Sequence, residues 1–308
     1  METEGRITSL TLSQPFLSLL DQENGELKGL ILILKCAGLF SFEKSWSRYF
    51  TYFVIFIMWL TIVAVLVNIL LYSSQKLFNH QIGNIIWMCH SATTYTIVAY
   101  DMIFCNGRLL VFMKSIVCRK NNDNFSNFSL LPETYCRDLH RVGWLSTLAV
   151  FCGVIGNVIC IGYLFLHSDG LYLVLRVTRS LWFDLLGLCL WYFYSYGWVI
   201  SIPYVCIPAY ALHCRIKAFV EFIRASGKDS ACASPLSVEK TMEWYDELHS
   251  ASRLLGMNVS MLLTVDIALC SLLSVFLLHV CFLPSSSTVY ILHLLLTFRS
   301  PAVVLYSA

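Results

Sequence analysis

The sequence predicts an all-α fold, a polytopic bundle of transmembrane helices with six spans and a cytoplasmic N-terminus. Three observations carry this. Of 308 residues, 57% are hydrophobic and only 13% are charged, against about 45–50% and about 25% in soluble domains. Mean hydropathy is +0.68. Uncharged stretches recur at the length needed to cross a bilayer, and Lys and Arg fall almost entirely on one side of them. This composition excludes an ordinary soluble domain, and a net charge of +2 gives no support to a nucleic-acid partner.

The N-terminal segment, 1–48, mixes six acidic and five basic residues and lacks a basic-then-apolar leader. Inside it, the apolar patch 29–40 is 12 residues long and contains Lys35. It is too short to cross, so it reads as a re-entrant or interfacial helix, or else as a buried amphipathic one. Spans follow at 49–72, 82–104, 143–166 and 185–212, within a first membrane unit at 49–212. Residues 213–253 form a cytoplasmic helical connection. The last unit, 254–308, carries spans at 254–283 and from 288 onward, the sixth interrupted by Arg299, Ser300 and Pro301. A crossing helix needs about 20 apolar residues because lipid offers its backbone no hydrogen bonds.

Orientation follows from the basic residues, which stay cytoplasmic near span ends. Seventeen lie in 1–48, in the loop between spans two and three, and between spans four and five; three lie on the other face. The N-terminus is therefore expected in the cytosol, and the sequons at Asn124 and Asn127 without sugar.

Within the cytoplasmic connection, 225–234 breaks two helices, and Ser234-Pro235 is a good start for the second. That helix aligns Met242, Tyr245, Leu248 and Leu255 in one stripe and runs into span five as one rod. An apolar stripe outside the membrane needs cover, from the monomer itself or from another subunit.

Ionisable residues at bilayer depth mark functional candidates. Asp266 and Arg299 fall at similar depth on consecutive antiparallel spans, which predicts an ion pair between them. His90, His279 and His293 look isolated, with no carboxylate at helical spacing. Span four contains the run from Trp191 to Trp198, in which Trp191, Tyr194 and Trp198 share a face. Gly197 permits close approach there, Pro203 and Pro208 permit kinks, and Asp184 opens the span. Rings with hydroxyl and N–H handles suit a pocket for a small, mostly apolar ligand, or simply helix packing.

No HExxH, Gly-x-Ser-x-Gly or Walker motif is present, and the 13 cysteines include no CxxC pair. The chain is thus expected to be no enzyme and to use no metal or cofactor. The lipid bilayer and a small molecule are the expected partners.

Leu34-Lys35-Cys36-Ala37-Gly38-Leu39-Phe40 before span one, Tyr210-Ala-Leu-His-Cys-Arg-Ile, Tyr245-Asp-Glu-Leu-His and Leu254-Leu-Gly-Met-Asn-Val-Ser together resemble the arthropod gustatory and odorant receptors. The gustatory branch is the nearer one. The resemblance implies a plasma-membrane chemoreceptor for tastants or odorants, acting as a ligand-gated cation channel assembled as a homo- or hetero-tetramer. It also implies a ligand site in the outer bundle, where Trp191, Tyr194, Trp198 and Asp184 fall, and an assembly role for Met242, Tyr245, Leu248 and Leu255. The family's seventh, pore-lining span has no counterpart before Ala308. The expectation is therefore a truncated product or a relative that does not conduct alone. A non-channel multispan scaffold or transporter-like protein is the alternative, disfavoured by the lack of internal repeats.

Overall fold

The structure is a computed structural model that describes residues 28–39, 45–72, 75–105, 133–167, 181–226 and 235–281. Among the described residues are seven helices and no strand: α1 Lys28–Cys36, α2 Ser45–Tyr72, α3 Gln75–Phe104, α4 Glu133–His167, α5 Leu181–Val199, α6 Ser201–Ser226 and α7 Pro235–Cys281. Four helical stretches are long and apolar enough to cross a membrane: Trp46–Leu71, Arg137–Ile159, Cys189–Arg224 and Val259–Phe276. The chain is a multi-pass membrane protein. The predicted sixth span, Arg299 and the sequons at Asn124 and Asn127 lie outside the described residues.

The outside of the bundle is apolar. Phe53, Phe56, Leu60, Val63 and Leu70 of α2 are exposed, as are Leu145, Leu148 and Ile159 of α4. The inside carries the polar groups, including His90, Ser91, Thr94, Ser195 and Asp266, all buried. That inversion is what a lipid solvent requires, since polar side chains are tolerated only where they face protein. It also explains α3, which holds the predicted second span yet is more polar than the four stretches above. It packs against α2, α5 and α7, so its serines and threonines face neighbouring helices.

At nine residues, α1 spans about 14 Å, too little to cross. Its Leu30, Ile33 and Leu34 are fully buried, and it packs on α4. Gly29 makes the contact possible, because a Cβ there would strike Thr147 Oγ1 and the Gly143 carbonyl. Small residues on facing helices allow this kind of close approach. The helix ends at Gly38, with φ of 75°. The Leu39 amide bonds Leu34 O at 2.8 Å and the Gly38 amide bonds Lys35 O at 3.0 Å. This is the Schellman pairing, which needs a left-handed residue and so favours glycine.

The predicted fourth span is two helices, α5 and α6, meeting at Ile200. Pro203 is the cause: it has no N–H for the Val199 carbonyl, and its ring crowds that group. Pro208 sits inside α6. Beyond residues 227–234, which are not described, α7 starts at Pro235 and continues unbroken for 47 residues, about 70 Å. It therefore extends well past the hydrocarbon core, and α6 packs beside it.

Candidate functional site

Two sets of side chains converge on successive turns of α3. The first surrounds Trp87. Its ring stacks on Trp191 at 4.7 Å between centroids and lies 5.9 Å from Tyr194 and 6.3 Å, edge-on, from Trp198. Trp191 and Tyr194 are themselves 6.2 Å apart. The three predicted aromatics of α5 are thus brought together, all buried, by a fourth ring that the sequence reading did not single out. Spacings of three and four put the three on one face, and Gly197 seats that face on α3. A Cβ at 197 would fall on the Ser91 carbonyl, so the two backbones touch.

Polar handles surround this cluster. Tyr194 donates to the Met58 carbonyl at 2.5 Å, which ties α5 to α2. Tyr95 donates to Ala37 O at 2.7 Å and Tyr192 to Cys36 O at 3.1 Å. Those two phenols cap carbonyls at the end of α1 that its own helix leaves unpaired. Tyr204 of α6 donates to the Asp101 carboxylate. The indole N–H groups of Trp87 and Trp198 and the hydroxyls of Ser195 and Ser201 are buried without a hydrogen-bond partner among the described residues. Buried donors left unmade cost free energy, and a bound molecule with acceptor atoms would satisfy them. Asp184 lies outside the residues whose side chains are described.

The second set lies one turn along α3. His90 Nε2 is 2.6 Å from Asp266 Oδ1 of α7 and 3.7 Å from Cys270 Sγ. His90 is 1% exposed, Asp266 2% and Cys270 1%. Here the expectations change. His90 is not isolated, and Asp266 already has a partner in it, whereas Arg299 lies outside the described residues. The face of α7 that holds Asp266 and Cys270, four residues apart, turns to α3. A partner 176 positions away on another helix has no signature in local spacing.

The stripe near the start of α7 divides as well. Leu248 is buried in a cluster with Leu212 and Phe219, with Leu255 and Trp244 packed against it. Trp244 lies 5.1 Å from Phe219 and 5.6 Å from Phe222. Leu248 and Leu255 therefore serve the contact with α6, while Met242 and Tyr245 remain exposed, as does Val238. The split arises because α6, coming from the same chain, covers one edge of the stripe.

No protein-family profile and no curated protein matches the sequence. A solved structure does match: the insect olfactory receptor OR5 from Machilis hrabei, with a TM-score of 0.59 over 96% of this chain and 80% of that one, at 11% identity. At that identity the likeness is one of fold, and the helical membrane bundle described above is the fold this chain shares with that receptor.

Proposed function

We propose that this protein is a chemosensory receptor subunit of the plasma membrane, with its N-terminus in the cytosol, that binds a small and mostly apolar molecule. The observation that carries the reading is the shared fold across nearly the whole chain with an insect olfactory receptor. The sorting of basic residues supports the orientation. Motifs from 34 to 40 and from 210 to 260 favour the gustatory branch, and with it a ligand-gated cation channel of four subunits.

The ligand site in this reading is the ring cluster of Trp87, Trp191, Tyr194 and Trp198. Four rings supply an apolar, polarisable wall, and the unpaired indole N–H groups supply donors for a carbonyl or hydroxyl oxygen. Because the rings touch, a ligand enters by parting them, so binding and movement of α5 against α3 are one event. Movement of α5 also pulls on α1 through Tyr192 and on α2 through Tyr194. Met242, Tyr245 and Val238 are the surface offered to a neighbouring subunit.

The test uses the full chain in lipid nanodiscs, with tryptophan fluorescence as readout. The probe is a panel of small terpenoids and esters, each with one oxygen function. Saturable quenching that Trp191→Phe and Trp198→Phe weaken at least tenfold is the expected result. A panel that leaves the emission unchanged, or quenching that both variants retain in full, overturns the ligand site. Sugar found on Asn124 or Asn127 in cells overturns the orientation.

A further inference from the structure

The seam between α3 and α7 holds a second site that the ring cluster does not use. His90 Nε2, Asp266 Oδ1 and Cys270 Sγ converge so closely that all three donor atoms lie within 4.8 Å of one another. We propose that these three side chains form a buried metal site for Zn(II), with three protein ligands and a fourth position open.

Four lines of physical argument meet here. The donor set is nitrogen, sulfur and oxygen, which suits Zn(II) and not Mg(II) or Ca(II), cations that take oxygen ligands. The geometry is close to ready. A tetrahedral Zn(II) with ordinary bond lengths holds its ligand atoms about 3.4 Å apart. The Nε2 to Sγ distance is already 3.7 Å, and the Nε2 to Oδ1 distance of 2.6 Å has to open by less than an ångström. The scaffold is suitable too, since residues at i and i+4 share a helix face and can hold one zinc ion together, and bundles build metal sites from side chains on facing helices.

The charge balance is the strongest argument. Asp266 Oδ2 is buried with no hydrogen-bond partner among the described residues, so the carboxylate is half-satisfied at a depth where that is costly. When Zn(II) binds, the proton shared by His90 and Asp266 and the thiol proton of Cys270 leave. The carboxylate and thiolate then cancel the two charges of the metal. No net charge remains in the bundle interior, which is the condition under which buried ions persist. Ser274, buried and without a hydrogen-bond partner among the described residues, lies one turn further along the same face of α7.

A metal here pins α7 to α3 one turn from Trp87. The inference depends on the α3–α7 geometry alone and stands apart from the ligand reading.

The experiment uses the full chain, purified in nanodiscs through a tag without histidines, loaded with Zn(II) and washed. Metal content is measured by mass spectrometry, and Co(II) replaces zinc for optical spectroscopy. Wild-type protein and the Cys152→Ser control are expected to retain about one metal per chain, and the Co(II) form to show thiolate-to-cobalt charge transfer. Cys270→Ser removes that band, and Asp266→Asn weakens binding at least tenfold. Should Cys270→Ser fail to fold, thermal unfolding decides: Zn(II) raises the midpoint of the wild type and not that of Asp266→Asn. A wild type that washes free of metal overturns the proposal. So does a Cys270→Ser protein that keeps both metal and band, or an Asp266→Asn midpoint that rises as much as the wild type's.

Discussion

Two faces of one helix, three residues apart, are held by opposite kinds of physics. Trp87 faces α5 across rings in van der Waals contact, with Gly197 bringing the backbones together. His90 faces α7 across a hydrogen bond to a buried carboxylate. In lipid, helices gain little from burying apolar surface, because the hydrocarbon is as apolar as the side chains. The α3–α5 contact therefore rests on close fit, with many small dispersion gains that a gap forfeits. The α3–α7 contact rests on a few polar atoms whose alternative partners in hydrocarbon are poor. A fit-based contact tolerates polar change badly but has no chemical switch; a polar contact depends on protons and ions.

The contrast can be broken at the ring face first. Trp87→Ala leaves a cavity among three aromatics and should cost about 3–5 kcal/mol, read as a lower unfolding midpoint by size-exclusion thermostability in detergent. A loss below about 1 kcal/mol would mean the rings are not tightly packed. Gly197→Leu comes next, at about 3 kcal/mol, because the obstacle is the Ser91 carbonyl and not a flexible side-chain tip. Gly197→Ala should already lower the midpoint, and a variant as stable as the wild type would show that α5 does not sit on α3.

The polar face calls for a cycle. With His90→Gln and Asp266→Asn singly and together, the coupling should be about 1–2 kcal/mol in metal-free protein. Strict additivity would dissolve the pair. Smaller still is Tyr194→Phe, which deletes one bond to the Met58 carbonyl and should cost about 1 kcal/mol. Equal losses from Tyr194→Phe and Trp87→Ala would erase the distinction between fit and polar contact.

Two faces of the N-terminal part of α7, which starts at Pro235, repeat the contrast. Leu248 is covered by Leu212 and Phe219, whereas Met242 and Tyr245, one or two turns away, are exposed. Leu248→Ala should therefore lower the midpoint by a loss of about 2–3 kcal/mol. Met242→Ala should stay within about 0.5 kcal/mol in the monomer and show its effect only in subunit assembly, measured by mass photometry. A destabilised Met242→Ala monomer would put that side chain inside.

Much of this protein is written locally. The crossing stretches near 49–72 and 143–166, the α7 start at Pro235, the break ahead of Pro203 and the close approach at Gly197 follow from length, residue type and backbone chemistry within a few positions. So does the common face of Trp191, Tyr194 and Trp198, since helical period fixes which residues align. What no local rule contains is the rotation of each helix about its axis and the choice of its neighbours. Those decide that Trp87 completes the ring cluster, that Asp266 meets His90, and that Leu248 turns inward while Met242 does not. The reason is physical: an apolar residue in a membrane helix is equally at ease against lipid or protein. Only packing between helices, summed over the whole bundle, selects which side goes where.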